Sequence, residues 1–540
     1  MIHYAVALQP QEAAVPIERW NPPSEISRQE ARILKACRKR RKLFAFLREH
    51  RLEIFDEDLQ RDLLRMYRDT GAGKEPLYPA MMAMALILQG YFNVSDADAV
   101  DLSHLELRWQ MVLGRLGETE PAFSQGALFA FRQRLIEHDM DRKLLERTYT
   151  IARASRGFDP KKLPKDLRIA VDSSPLHGAG RVEDTINLIG HAARKVATCV
   201  ATLLDWQYQR VCEEAGIPVL LAKSIKRGLD RDWSDPKEKA EAIDDLARQV
   251  LSLERWVQEH LIEAAGEPPL SRLLETLRKL MEQDLEPDPS GKKIRVVEGV
   301  AEDRQISIED DEMRHGRKTK SKRFNGYKRH VMTDLDCQGI PACGVTAANT
   351  PEHEALPGMM DDVEEQRATV AEAHFDRAYM ASPAVAEMQH GGTVILCKPW
   401  KTGHGDLFTK EDFTLDLRAK TITCPAGNTE SIEFGQTVTF PSRLCDVCSL
   451  RGACTKARKG NGRSVSIAQD EKLQKRLRQL AQTKAGRLRY TERVPVEHAL
   501  AHISQRQGNK ARYCGKRKNL YDLRRAAAIQ NLEIAQRAAS

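Results

Sequence analysis

The sequence predicts an α/β protein: a mixed sheet with helices, preceded by an all-helical N-terminal region and interrupted by a helical insertion and a small cysteine-bearing segment. Three observations carry this. Residues 1–155 show apolar positions at helical spacing behind Ser, Thr and Asp caps, without long β-branched runs. From Leu167 onward, short apolar strands alternate with helical stretches, the pattern of a mixed sheet. Two long intervals break that alternation, one leucine-rich and one punctuated by Gly, Pro and Cys. A chain of 540 residues has room for three or four units at ~100–200 residues each.

Composition narrows the function classes. With 41% hydrophobic and 30% charged residues, the chain can build real cores. The net charge of +8 is modest and matters only where it clusters. The longest apolar run, Pro79–Leu88, is half of the ~20 residues a bilayer-spanning helix requires. The opening stretch has no basic region ahead of an apolar core, so a secretory signal is not expected. Eleven cysteines make an odd number for a disulfide framework, which points to a reduced cytoplasm and to metal-type spacing.

In the helical region, Ala31–His50 carries Arg38, Lys39, Arg40, Arg41 and Lys42 in one run. Taken alone this is a solvated helix face; phosphate contact gains weight only from features further along the chain. Strands are expected within Leu167–Leu176, where RIAVD ends at Asp172 and small residues and a turn follow, then at Arg323–Leu335, Gly339–Thr350, Thr369–Tyr379 and Thr393–Trp400. The sheet unit is assigned to 160–204, 296–415 and 471–540. The insertion, 205–295, carries a stripe of Ile243, Leu246, Val250, Leu253 and Val257. Gly266, Pro268 and Pro269 break it, and Leu270, Leu273, Leu277 and Leu280 resume it, as in a helical hairpin. The stripe suits internal pairing or a second chain, and internal pairing is favoured in the free protein.

The remaining interval, 416–470, holds Cys424, Cys445, Cys448 and Cys454 in the spacing C-x20-C-x2-C-x5-C. Four thiolates can close a tetrahedral structural zinc site, here in a small zinc-ribbon-like segment; four unligated cysteines in a β-rich loop are the plainer reading. Cys37, Cys199, Cys212, Cys337, Cys343, Cys397 and Cys514 show no ligand spacing and read as small core residues.

Asp172 and Asp376 close two strand patterns, and Glu497 follows Pro495 at the start of a helical stretch. Three such carboxylates can converge on two Mg²⁺ ions ~3.5–4 Å apart. His498 and His502 lie on the same stretch in an order that does not match the metalloprotease pattern, and read as ordinary helix-face histidines.

Here the sequence resembles the insertion-sequence DDE transposases, whose catalytic core is RNase H-like. The resemblance rests on Asp172 with the stretch SSPLHGAGRVEDTINLIG that runs from it to Gly190, on FDRAY around Asp376, and on Tyr490, Arg493 and Glu497 in the family's tyrosine–arginine–glutamate spacing. It continues through Ala511–Leu532 and includes the helical region around YPAMMAMALILQGY. The lysine usual seven positions after the glutamate is Ser504 here, with Arg506 or Lys510 as substitutes. The resemblance implies that Asp172, Asp376 and Glu497 hold two Mg²⁺ (or Mn²⁺) ions per active site, and that Tyr490 and Arg493 hold DNA phosphates. The basic C-terminal stretch, with Lys510, Arg512 and Lys518, and the N-terminal Arg38, Arg40 and Arg41 extend that DNA-binding set.

The implied activity is cleavage at terminal inverted repeats and joining of the 3′ ends to target DNA, by a homo-oligomer, a dimer on paired ends, in the prokaryotic cytoplasm beside the nucleoid. Two alternatives share the same residues: an RNase H-like nuclease without strand transfer, and a catalytically silent DNA-binding protein of transposase descent. Residues 1–155 would be the DNA-binding domain. Glu492 is a rival carboxylate without the signature spacing.

Overall fold

The computed structural model describes residues 18–67, 77–155, 166–319, 321–400 and 405–539. The stretch read for a secretory signal falls largely in 1–17, outside them, as does the expected start of the sheet unit at 160–165.

The described residues form an α/β protein with a mixed six-stranded sheet and many helices. Its strands are β1 (Asp166–His177), β2 (Arg314–Arg317), β3 (Arg323–Asp334), β4 (Ala342–Ala347), β5 (Thr369–Phe375) and β6 (Val394–Cys397). The order is β2-β3-β1-β5-β6, and β4 shares the outer edge of β3 with β2. β3 runs antiparallel to β1, β2 and β4, whereas β1, β5 and β6 run parallel. Apolar residues on both sides of the central strands are what a sheet covered on two faces requires.

One face packs Val171, Met332, Phe375 and Ile395 against the helices Leu356–Glu365 and Pro383–His390. The other packs Val331 and Cys343 against Ala499, Leu500 and Ile503 of the helix Val494–Gln507, and against Leu523 and Ala526 of the helix Lys516–Ala539. That last helix is buried along most of its length. Its Ile529, Leu532 and Ala535 enter the core of the N-terminal helices, so it joins that core to the sheet. Gly90 lets it come close: a Cβ there would lie 2.8 Å from Ile529 Cδ1. Asn531 donates to Ile340 O at 3.0 Å and accepts from Ile340 N at 2.8 Å, satisfying two buried backbone groups at the sheet edge.

The helical interval differs from a self-contained hairpin. The helices Pro236–His260 and Leu270–Asp284 share one core with Ile186, Ile189, Val196 and Val200 of the helix Thr185–Leu204. The sequence reading gave that helix to the sheet unit. Its apolar stripe lacks a seat on the sheet, and the insertion covers it. The Ile243–Val257 stripe is buried within this core. In the cysteine segment, a three-stranded sheet (Thr414–Asp416, Thr421–Thr423, Thr429–Ser431) and a two-stranded antiparallel sheet (Thr437–Thr439, Ser464–Ser466) enclose Phe413, Ile422, Ile432, Phe440, Val465 and Ile467. Among the described residues, no helix is long and apolar enough to cross a membrane.

Candidate metal and DNA site

Asp172 does not end its strand. β1 continues to His177 because β3 pairs with it throughout, Asp172 opposite Val331 and His177 opposite Gly326. What ends is the parallel ladder on the other side, where the last pair is Ala170 with His374. Two residues further along each chain lie Asp172 and Asp376, on the same face by the two-residue period of a strand. The end of β5 therefore releases both carboxylates into the opening beside β1.

Asp376 caps the short turn Arg377–Tyr379, its Oδ1 accepting from Arg377 N at 2.9 Å. Asp172 Oδ1 accepts from Ser173 N at 2.8 Å. Between the two carboxylates stands Arg493, which donates to Asp172 Oδ2 at 2.9 Å and lies 3.8 Å from Asp376 Oδ1. Burial raises the Asp172 carboxyl above its ordinary value; the Asp376 charge adds to the rise, while Arg493 and the Ser173 amide oppose it. Arg493 Nε is buried without a hydrogen-bond partner, so the guanidinium is incompletely satisfied where it stands.

Arg493 also stands immediately before the helix Val494–Gln507, at its N-cap position but without a side-chain capping bond, with Pro495 in the first turn. Glu497 sits one turn on, exposed, where the positive end of the helix dipole favours a carboxylate. The oxygen-only set of Asp172, Asp376 and Glu497, with an arginine in the place of a cation, fits a hard divalent ion. The three are not drawn to ligand spacing. Among the described residues, one group of three metal-type side chains has its ligand atoms within 4.8 Å of one another: Glu372, His374 and Glu492.

That group is already committed to other partners. His374 Nε2 donates to Glu372 Oε1 at 2.7 Å, and Arg168 donates to the same oxygen at 3.2 Å. Arg489 donates to Glu372 Oε2, and Arg168 to Glu492. Burial would raise the Glu372 carboxyl, but the bonds from His374, Arg489 and Arg168 hold it below the usual range. A cation entering here would have to displace two guanidinium groups, so this is an ion-pair network. Sequence reading missed it; the signal was Glu372 and His374 alternating with apolar residues in TVAEAHFD, on the face that carries Asp376.

The expected DNA contacts divide. Lys510, Lys518 and Arg40 are exposed and form no ion pair among the described residues. Arg38 pairs with Glu49 at 3.2 Å, Arg41 lies over Phe92 at 5.5 Å, and Arg512 donates to Asn93. Tyr490 is half-buried and donates to Leu477 O at 2.9 Å, which holds two helices together. Of the substitutes for the missing lysine, Arg506 is paired with Glu533 at 2.8 Å and Lys510 is exposed. Ser504 accepts from Arg329 at 2.6 Å. His498 and His502 are exposed and belong to no metal-type cluster among the described residues.

Cys424, Cys445, Cys448 and Cys454 line one small cavity of about 30 Å³. Burial raises the Cys454 thiol, opposed by Arg463 and reinforced by the other three cysteines. No three of the sulfurs lie mutually within 4.8 Å. Of the other cysteines, Cys199 is half-buried against the core of the insertion and Cys514 is exposed within the basic stretch, so Cys514 is not the core residue expected; the other five are buried.

Two family models match this chain. A transposase DDE domain covers residues 423–534, which include Glu497 and all four clustered cysteines but neither Asp172 nor Asp376. A transposase domain (DUF772) covers residues 33–134, which include Arg38, Arg40 and Arg41. No curated protein and no solved structure matches it.

Proposed function

We propose, from the premise that this chain is an insertion-sequence DDE transposase, that it binds the terminal inverted repeats of its element as double-stranded DNA, cleaves them, and joins the 3′ ends to target DNA. Asp172, Asp376 and Glu497 would hold two Mg²⁺ (or Mn²⁺) ions. When bound, such ions supply charge neutralisation at the phosphate and lower the pKa of an attacking water or 3′-hydroxyl. The observation that carries the reading is Arg493 spanning Asp172 and Asp376 where β5 ends and its parallel ladder with β1 opens.

The chain's own groups have definable parts. Asp172 and Asp376, facing one opening, accumulate negative charge that demands a cation. The helix Val494–Gln507 presents Glu497 from its first turn. With the ions held by these carboxylates, Arg493 would be free to hold a phosphate through its planar fork. The exposed Lys510, Lys518 and Arg40 would add phosphate contacts that carry no sequence information. The strand order, three antiparallel neighbours followed by parallel β5 and β6, supports an RNase H-like core. Residues 1–155 would bind the DNA ends, and 416–470 would fold around a structural zinc held by Cys424, Cys445, Cys448 and Cys454. Two ends need two active sites, so the working form would be a dimer on paired ends; the buried Ile243–Val257 stripe leaves that pairing to DNA.

The test is strand transfer from a pre-cut end duplex with Mg²⁺. Joined product is expected, together with loss of cleavage but retained end binding in Asp172→Asn, Asp376→Asn and Glu497→Gln. Hydrolysis without joining would make the chain a nuclease. End binding without either reaction would make it a silent DNA-binding protein.

A further inference from the structure

Elements that lead to the three proposed catalytic carboxylates are tied together one step behind the site: β1, β5 and the helix Lys484–Thr491, which a turn at Glu492–Arg493 joins to the Glu497-bearing helix Val494–Gln507. Arg168 lies four residues before Asp172 on β1, Glu372 four residues before Asp376 on β5, and Arg489 four residues before Arg493, which is itself four before Glu497. Arg168 and Glu372 are direct register partners in the parallel ladder. Glu372 is 7% exposed and receives three donors: His374 and Arg168 on Oε1, and Arg489 on Oε2. Arg168 bonds Glu492 in turn, next to Arg493, and Asp336 at 3.2 Å beyond β3.

From this geometry we infer that Glu372 is a positioning residue: one buried carboxylate that fixes β1, β5 and the Lys484–Thr491 helix in register, so that Asp172, Asp376 and Glu497 meet the metal ions in one arrangement. The inference rests on the proposed carboxylate site. Strands transmit placement stiffly over four residues, about 13 Å; on the third carrier the bonds at Arg489 and Glu492 hold the turn that leads into the helix bearing Glu497. Each of the three links is a charge-assisted or ladder contact between different elements, and the shared carboxylate couples them. Loss of one link leaves a buried partner without its counter-charge and lets one carrier slide relative to the other two. His374, 1% exposed and donating to Glu372, leaves that carboxylate little freedom to turn away.

The experiment is single-turnover cleavage of an end duplex by the full chain, with Mg²⁺ titrated, for Glu372→Gln, Arg489→Gln and Arg489→Lys beside Asp172→Asn. Partners that hold metal ligands in place typically contribute 10–100-fold. Glu372→Gln and Arg489→Gln should slow cleavage about 10–100-fold and raise the Mg²⁺ concentration for half-maximal rate, with end-duplex affinity unchanged within about threefold. Arg489→Lys, which keeps the charge, should recover much of the rate. Arg489 is partly exposed, so its variants report even where Glu372→Gln fails to fold. Wild-type rate and Mg²⁺ dependence in Arg489→Gln, with Asp172→Asn inactive, would overturn the positioning role alone. Normal cleavage by Asp172→Asn would overturn the carboxylate site beneath it.

Discussion

Replacing Arg329 with lysine should loosen the helix that carries Glu497. Arg329 lies on β3 and is 1% exposed. It donates from Nε to Ser174 Oγ at 2.8 Å and from Nη2 to Ser504 Oγ at 2.6 Å. Its Nη1 serves Gln507 Oε1 and Gly508 O, both at 2.9 Å. The guanidinium thus clamps β1 and β3 to the last turn of Val494–Gln507, which Gly508 ends at φ 84°. No carboxylate bonds it, and burial pulls it down to about 10. Holding that charge costs ~3 kcal/mol at neutral pH. Hydrogen bonds to a charged donor, at ~1.5–3 kcal/mol each, more than offset this.

A lysine has three donors on one tetrahedral nitrogen and cannot serve acceptors spread around a planar fork. At least one of the four half-buried acceptors would be left unpaired, and the others less well aligned, at ~1–3 kcal/mol for each lost bond. The smaller desolvation of the displaced charge returns part of this, so the opening free energy of the helix should fall by ~1–3 kcal/mol. Amide hydrogen exchange across residues 494–507 measures that quantity directly, and cleavage by Arg329→Lys should slow in parallel. Wild-type protection of these amides in Arg329→Lys would refute the clamp.

If the proposed zinc is held by these cysteines, Cys445→Ser and Cys448→Ser should each lower the thermal midpoint and reduce bound zinc, because a structural zinc would supply ~10–16 kcal/mol of apparent binding energy to so small a unit. Less than about half an equivalent of zinc in carefully prepared wild-type protein would count against this. Asp362 is buried beside Arg524 at 3.2 Å, and burial pushes its carboxyl up to about 6, against the pull of that arginine. Because the folded value lies above the ordinary 3.8, its stabilising share is complete below 3.8 and is lost as pH rises through about 6. The stability difference between wild type and Asp362→Asn should therefore shift between about pH 4 and 6.5 and stay flat above, and a difference constant across that range would exclude the titration.

The periodic features were legible in the sequence. Caps and apolar spacing marked the N-terminal helices, and the β-rich runs marked β1, β3, β4, β5 and β6 within a few residues. β2, only four residues long and rich in charge, carried no such mark. Asp172 was read as a strand end because Ser-Ser-Pro looks like a turn, and only the long pairing with β3 keeps that stretch extended. The insertion's stripe was visible, but its partner helix was not, since an amphipathic face does not say which surface will cover it. The family spacing marked Arg493 but not its place between two aspartates, and the Glu372 network joins residues far apart in sequence. Side-chain pairings across elements leave no local pattern to read.

Substituting a softer ligand tests the metal site most directly. Asp172→Cys replaces an oxygen donor, which suits Mg²⁺, with a sulfur donor, which Mg²⁺ disfavours and Mn²⁺ tolerates better. Cleavage of an end duplex should therefore be lost with Mg²⁺ and regained with Mn²⁺ in this variant, while wild type works with both and Asp172→Asn with neither. Equal activity of Asp172→Cys with Mg²⁺ and Mn²⁺, at the wild-type level, would contradict metal ligation by Asp172 and with it the central claim.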